Sequence, residues 1–545
     1  MSKIPASSAY AYPLLIKQLL HASMLTSPQQ EIVSGDLCRY NYLTFNDRIK
    51  KLAAGLSAVG VKPGDTVAVM NWDCHRYLEC FFAVPMMGAI LHTVNIRLSP
   101  EQLLYTINHA EDDVILVHSD FVDMLEQVQD RIKRPVKLVF LHDQDQIQTL
   151  PDRFDIEYES LLDLSGSDFE FRDFDESTIA TTFYTTGTTG DPKGVYYSHR
   201  QLVLHTMGLV AALSPIDVHI RLGKADVYMP MTPMFHVHGW GIPYAATMLG
   251  LKQVYPSRYE PSKLVRLISD EKVTFSHCVP TIMHMLLSAP EVMETDLSGL
   301  KVIIGGSALP QGLSQLCVEK GIQVFTAYGM SETCPFVTVS DTMGIDHQSI
   351  EDIDLAARAK TGKPGALVDL RVVDENMNDI ARGGDETGEV VIRTPWLTQG
   401  YAGSTEGSEA LWRGGYLHTG DVGYIDETGS LLITDRMKDV IKSGGEWLSS
   451  LELENIVSQI EGVSEVAAVG IPDERWGERP LIVAARNTES EIEATVEDIR
   501  NAIAAHVDSG ALPKWAIPER VEFVDAIDKT SVGKLDKKVL RVRYA

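Results

Sequence analysis

Three short β-branched runs, Thr66 to Met70, Ile90 to Val94 and Val114 to His118, alternate with helical stretches at Arg76 to Met87 and Pro100 to Ala110. Strands joined through helices pair in parallel and bury both sheet faces under those helices. The alternation therefore predicts an α/β fold built on parallel strands. Further along, apolar runs stop abruptly at small or polar residues: Val227 to Met229 at Pro230-Met-Thr-Pro233, Val302 to Ile304 at Gly305-Gly-Ser307, and Val324-Phe325 at Thr326-Ala-Tyr-Gly329. Ligands of α/β sheets lie beyond such carboxyl ends, so these segments are candidate walls of a site.

Between Gly365 and Ile433, short alternating segments with Gly-rich turns predict a smaller β-rich subdomain. The charged pentapeptide Asp435-Arg-Met-Lys-Asp439 then separates the strand-like Leu431 to Ile433 from the Gly-rich Lys442-Ser-Gly-Gly-Glu-Trp447. With 545 residues, 44% of them hydrophobic, the chain can bury more than one core. The expected division is a large N-terminal domain over 1–434, a hinge over 435–439 and a small, mobile α+β C-terminal domain over 440–545. In the last, Leu451 to Ile460 and Ile492 to Val507 read as helices, and Val466 to Val469 and Leu481 to Ala485 as strands.

The twelve residues Tyr184 to Val195, read Tyr-Thr-Thr-Gly-Thr-Thr-Gly-Asp-Pro-Lys-Gly-Val, include seven that are Gly or Thr. Gly187, Gly190 and Gly194 let the backbone bring its N–H groups up to an anion. Thr185, Thr186, Thr188, Thr189 and Lys193 add hydroxyl and ammonium donors. Such a loop suits the triphosphate of ATP. The Walker pattern fails here, and Pro192 before Lys193 resists continuation into a helix, so the loop is expected to stay mobile until nucleotide arrives.

The net charge of −27 opposes binding to nucleic acid or to an anionic membrane, so local groups must grip any anionic substrate. Six cysteines without a C-x-x-C pair indicate neither a zinc site nor a disulfide framework and suit a reducing cytoplasm. The longest apolar stretch, near Phe81 to Val94, is broken by Pro85 and too short to span a bilayer. The N-terminus lacks a basic region followed by a cleavable apolar segment. A cytoplasmic protein with no integral membrane segment is expected.

Eight motifs in order carry a resemblance to the AMP-forming acyl-CoA synthetases of the adenylate-forming superfamily: the loop 184–195, Met231 to Trp240, Gly305 to Ala308, Tyr328-Gly-Met-Ser-Glu-Thr333, Gly388 to Tyr401, Tyr416-Leu-His-Thr-Gly-Asp421, Asp435 to Asp439 and Lys529-Thr-Ser-Val-Gly-Lys534. The segment Phe235-His-Val-His-Gly-Trp240 is most similar to the branch of medium- and long-chain fatty acid ligases and 3-methylmercaptopropionate-CoA ligases. The resemblance implies an acid–thiol ligase that uses ATP and Mg²⁺, with coenzyme A as co-substrate and a small carboxylic acid as partner.

It also implies residue roles. Lys193 and Lys534 would meet phosphate charge, with Lys534 bridging the acid and the α-phosphate, and Glu332 with Thr185 would hold Mg²⁺. Gly306, Ser307, Ala308, Ala327, Tyr328, Gly329 and Thr333 would surround adenine and α-phosphate, and Asp421, assisted by Arg436, the ribose. His236, Trp240, Gly305 and Gly329 would form the acyl pocket. Lys442, Ser443, Gly444, Gly445, Glu446 and Trp447 would meet pantetheine after rotation about Lys438. His199, His238 and His418 read as structural histidines. Oligomeric state stays open, although the long-chain members resembled are homodimers. The rival readings are an adenylation enzyme that loads a carrier protein, a luciferase-like oxygenase, and a non-catalytic nucleotide or acyl sensor.

Overall fold

The computed structural model describes residues 6–143, 150–166, 168–185, 191–216, 219–340, 358–384, 386–443, 446–487, 492–530 and 534–545. Two large sheets, a four-stranded sheet and a C-terminal sheet make up the chain. One large sheet has seven strands, ordered Ile156–Glu157, Lys137–Leu141, Asp112–His118, Thr66–Met70, Ile90–Thr93, Ile179–Thr185 and Lys193–Ser198. All pair in parallel except the last, which returns antiparallel from Thr185. The loop 184–195 is therefore the tip of a hairpin, and Lys193 opens its second strand rather than sitting in the turn. Thr186, Gly187, Thr188, Thr189 and Gly190 lie outside the described residues.

The other large sheet has nine strands. Its parallel centre runs Gln323–Gly329, Lys301–Ile304, Phe275–Cys278, Val227–Pro230, Lys252–Tyr255 and Glu31–Ser34. The apolar run at Val324-Phe325 ends at Thr326, but the strand that holds it continues to Gly329, exchanging its parallel partner for the antiparallel strand Phe336–Val339. That change of partner carries Ala327, Tyr328 and Gly329 out over the carboxyl edge.

The helices His75–Met86 and His199–Leu213 pack against strands of both large sheets, and Tyr42–Ala58 and Ile242–Leu249 against the nine-stranded one. The helix His75–Met86 is buried all round apart from Arg76, which is why its sequence shows no polar face. Phe45, Phe81, Phe82 and Tyr244 meet there without exposure. The helix His199–Leu213 starts at a capping box in which the Ser198 N–H donates to Gln201 Oε1 at 2.7 Å and the Gln201 N–H donates to Ser198 Oγ. Gly208 on this helix is bare because a Cβ there would lie 2.6 Å from Cη2 of Trp396.

The strands Asp369–Val373, Gly388–Arg393, Leu417–Ile425 and Leu431–Arg436 form the antiparallel four-stranded sheet. The last of these strands includes Asp435 and Arg436. Beyond it, Glu446–Leu448, Ile441–Ser443, Gly477–Arg486, Val463–Asp473 and Arg520–Val524 make a five-stranded sheet. Its helices are Ser450–Val457 and Val496–Asp508. The second begins four residues later than its apolar pattern suggests, because Thr495 caps it by accepting from the Asp498 N–H at 3.2 Å. No helix among the described residues is long and apolar enough to cross a membrane.

Candidate active site

A cleft of about 2300 Å³ opens at the carboxyl edge of the nine-stranded sheet, bounded by the four-stranded sheet and by residues 434–439, 529–530 and 534–538. The nine-stranded sheet contributes Gly305, Gly306, Ser307 and Ala308 after one strand and Ala327, Tyr328 and Gly329 at the end of the next. A Cβ on Gly306, whose φ is +79°, would come within 3.2 Å of the Lys534 Cε. The bare glycine thus makes room for the stem of that lysine. Gly305 faces the indole of Trp240, and a Cβ there would lie 3.1 Å from its Cη2.

Lys534 enters from the C-terminal portion. Its N–H donates to Thr530 Oγ1 at 3.2 Å and its carbonyl accepts from the Thr530 N–H at 2.7 Å, so the loop is closed on itself behind the side chain. Burial lowers the ammonium pKa to about 8. Arg436 and Lys438 add to the effect, and Asp421 and Glu332 oppose it.

Asp421 accepts from the Tyr328 hydroxyl at 2.6 Å on Oδ2 and pairs with Arg436 Nε at 3.3 Å on Oδ1. Asp421 and Arg436 sit opposite one another in the strand pair Leu417–Ile425 and Leu431–Arg436, which fixes that ion pair through backbone register. Burial raises the Tyr328 phenol well above its usual pKa, and the Asp421 charge raises it further, so it remains a donor. The arrangement presents an oriented carboxylate, able to accept from vicinal hydroxyls, beside an aromatic ring.

Glu332 sits in a tight turn, Ser331–Thr333, pinned through its backbone. Tyr197 donates its hydroxyl to the Ser331 carbonyl at 2.5 Å, and the Thr398 N–H donates to the Glu332 carbonyl at 3.1 Å. The buried Glu332 carboxylate accepts from the Tyr401 hydroxyl at 2.6 Å. Over the Tyr401 ring, 4.6 Å from its centroid, lies Lys193 Nζ. Tyr401 also bridges to Val195, and the Ala402 N–H donates to the Gly194 carbonyl at 2.9 Å. Lys193, Tyr401 and Glu332 therefore form one row at the base of the hairpin whose strand Ile179–Thr185 carries Thr185. Tyr401 only closes a motif in the sequence reading. Its central place comes from contacts across 69 residues to Glu332 that spacing alone cannot reveal.

His236 and Trp240 line the same cleft. Burial, with Lys534 and Arg97 nearby, pushes the His236 pKa down to about 3, so the imidazole is neutral. The Trp240 ring lies 5.1 Å from that of His277, and His277 shares a 2.8 Å hydrogen bond with the Tyr228 hydroxyl. Val237, His238, Gly239, Trp240 and Gly241 all have positive φ, between 48° and 73°. For three of them a side chain must be held in a sparsely populated region at a cost of about 1–3 kcal/mol each, a kind of strain that clusters at functional sites.

Lys442, Ser443 and Glu446 belong to a hairpin, Ile441–Ser443 with Glu446–Leu448, that does not line the cleft. Lys438 does line it. Gly444 and Gly445 lie outside the described residues, as does the side chain of Trp447. His199 accepts from the Ile16 N–H at 3.1 Å, and His418 contacts Glu389 and the Arg413 carbonyl, which are structural placements.

A family profile described as AMP-binding enzyme matches residues 20–402, and one described as AMP-binding enzyme C-terminal domain matches residues 452–534. The chain belongs to this family of adenylate-forming enzymes. It is 39% identical to a long-chain-fatty-acid–CoA ligase of Thermus thermophilus, over 95% of this chain and 93% of that one. It is 36% identical to a 3-methylmercaptopropionyl-CoA ligase of Ruegeria lacuscaerulensis, over 98% and 97%. Within the family it therefore stands among the AMP-forming acyl-CoA ligases, which are acid–thiol ligases. In fold it matches the anthranilate CoA ligase AuaEII solved with anthranoyl-AMP, with a TM-score of 0.85 and 22% identity over 98% of both chains.

Proposed function

We propose that the chain joins a medium- to long-chain fatty acid, or a short thioether acid such as 3-methylmercaptopropionate, to coenzyme A by way of an acyl-adenylate, with Lys534 as the catalytic residue of the first half. The observation that carries this reading is the reach of Lys534 over Gly306 into a cleft walled by Asp421 and Glu332.

In the first half an oxygen of the carboxylate attacks the α-phosphorus of ATP. A new P–O bond forms, the bond to the oxygen shared with the β-phosphate breaks, and pyrophosphate leaves. Both reactants are anions, so an ammonium that reaches both lowers their repulsion and stabilises the charge-rich transition state. Asp421, steadied by Arg436 and Tyr328, accepts the ribose hydroxyls. Tyr328, Ala327, Gly306, Ser307 and Ala308 surround the adenine, with Gly329 and Thr333 toward the α-phosphate. Lys193 and the hairpin loop take the outer phosphates.

The pairing of Glu332 with a neutral phenol, rather than a cation, leaves a charged oxygen donor suited to a hard ion. Glu332 and the Thr185 hydroxyl would hold Mg²⁺, which supplies neutralising charge to the phosphates. In the second half the thiol gives up its proton to solvent, its sulfur attacks the acyl carbon, a C–S bond forms, and the C–O bond to phosphate breaks to release AMP. The hairpin Lys442, Ser443, Gly444, Gly445, Glu446 and Trp447 meets pantetheine once the C-terminal domain, 440–545, has rotated about Lys438. Its position away from the cleft while Lys534 occupies it supports two alternating arrangements.

His236, Trp240 and Gly305 form the mouth of the acid pocket. The identity to fatty acid and thioether acid ligases supports that substrate range, and a homodimer in the cytoplasm completes the proposal. Acid-dependent pyrophosphate release, screened from acetate to palmitate with branched, aromatic and thioether variants, tests it, with acyl-CoA identified by mass spectrometry. Absence of acid-dependent release for every acid overturns it.

A further inference from the structure

The segment that carries His236 and Trp240 joins local turn hydrogen bonds, such as the Gly239 N–H to the His236 carbonyl at 3.1 Å, to a strained backbone. Val237, His238 and Trp240 sit at positive φ. Neither ring nitrogen of His238 finds a hydrogen-bond partner, and the imidazole lies among the rings of Phe81, Phe183, Tyr197 and Tyr244. Strain of this kind persists only where surrounding groups over-determine it. Two side chains from the seven-stranded sheet supply the constraint. Asp73, just past Thr66–Met70, accepts from the Met234 N–H at 2.8 Å with Oδ1 and from the Tyr259 hydroxyl with Oδ2. Its own carbonyl accepts from the Ser257 N–H at 2.8 Å. Thr93, at the end of Ile90–Thr93, donates its hydroxyl to the Phe235 carbonyl at 3.0 Å. Asp73 is 3% and Thr93 1% exposed, and neither lines the cleft.

We propose that Asp73 and Thr93 are positioning residues for the acid substrate: by gripping the backbone at Met234 and Phe235 from behind, they set the seat of His236 and Trp240 at the pocket mouth. The inference rests on the reading of 235–240 as the acid pocket. Both grips act on backbone next to that pocket, and neither residue touches the groups around Tyr328 and Asp421. Burial raises the Asp73 carboxyl to about 7, which gives the grip a signature near neutrality. The charged group that faces it is Arg97. The phenols of Tyr77, Tyr228, Tyr255 and Tyr259 also face it and stay protonated well beyond this range.

Asp73→Ala and Thr93→Val should each raise KM for the preferred acid about tenfold while KM for ATP stays within twofold, because the binding lost belongs to one substrate. Asp73→Asn, which can still accept from the Met234 N–H, should restore the acid KM to within threefold. It should also flatten the modest rise in acid KM, no more than about threefold, expected of the parent below pH 7, where Asp73 takes up its proton. Equal losses for acid and ATP, or an unchanged acid KM in the Thr93→Val protein, would overturn the proposal. If Asp73→Ala does not fold, Thr93→Val decides alone. Trp240→Gly separates the two levels: an unchanged chain-length profile there overturns the acid-pocket reading itself. A shifted profile with acid KM intact in the Asp73 and Thr93 variants overturns only the grip.

Discussion

The lysine proposed to serve the first half-reaction should lose its proton at a pH where ordinary lysines keep theirs, and this can be read in one half-reaction and not the other. An exposed lysine titrates near 10.5, whereas Lys534 is lowered to about 8, chiefly by burial and then by Arg436. At pH 7 about 90% of the free enzyme carries the ammonium, and at pH 9 about 10%, so kcat/KM for adenylation should fall roughly ninefold between them. The relevant parameter is kcat/KM, because bound ATP would raise the pKa and hide the limb in kcat. The assay is pyrophosphate release at ATP well below its KM, set beside CoA consumption from supplied acyl-adenylate.

If, as proposed, the second half does not use Lys534, it should show no limb at pH 8. Arg436→Gln removes the positive charge that most lowers the Lys534 pKa after burial and should move the limb upward. A linked effect has the opposite sense. The open or unfolded lysine keeps its proton to about 10.5 while the enclosed one loses it near 8. The arrangement with Lys534 inserted therefore becomes easier to hold as pH rises between those values. A flat adenylation rate through pH 9.5, or identical limbs in both halves, would refute this reasoning.

Lys534→Ala should abolish adenylation yet leave thioester formation from supplied acyl-adenylate; comparable losses in the two halves would exclude separate arrangements. Trp240→Gly should shift preference toward longer or bulkier acids in a chain-length profile. Tyr401→Phe removes a hydrogen bond to a charged carboxylate, worth about 1.5–3 kcal/mol, and should weaken apparent MgATP affinity by tenfold or more in a Mg²⁺ titration of pyrophosphate release. Gly208→Ala drives a Cβ to 2.6 Å from the Trp396 ring and should destabilise the N-terminal portion by roughly 1–3 kcal/mol in thermal or denaturant unfolding.

The parts of the fold written in local pattern were legible. The helix Pro100–Ala110 and the strands Thr66–Met70 and Asp112–His118 lie within two residues of where the alternation of helical and β-branched stretches puts them. The site residues that could be named in advance lie in motifs where glycine or a charged side chain interrupts an apolar run, as at Gly305-Gly306 and at Asp421. Where a strand changes its partner rather than ending, as at Thr326 to Gly329, the sequence has no mark for it. Either a parallel or an antiparallel neighbour suits the same apolar residues.

What stayed hidden shares one physical property, which is that its meaning lies in a second, distant segment. Asp73 follows a buried strand and stands in no motif, yet a partner of its carboxylate is a backbone N–H 161 residues away. Thr93 lies inside the β-branched run Ile90 to Val94, yet it grips a carbonyl 142 residues on. Neither contact leaves a trace in spacing, because a backbone amide offers the same donor whatever side chain it carries. The cleft is thus encoded in two ways. The groups proposed to touch ATP are specified by side-chain identity at fixed spacing and can be recognised in one dimension. The proposed seat of the acid rests instead on buried polar groups that two sheets bring against a strained backbone, so acid preference should change through residues that never meet the acid.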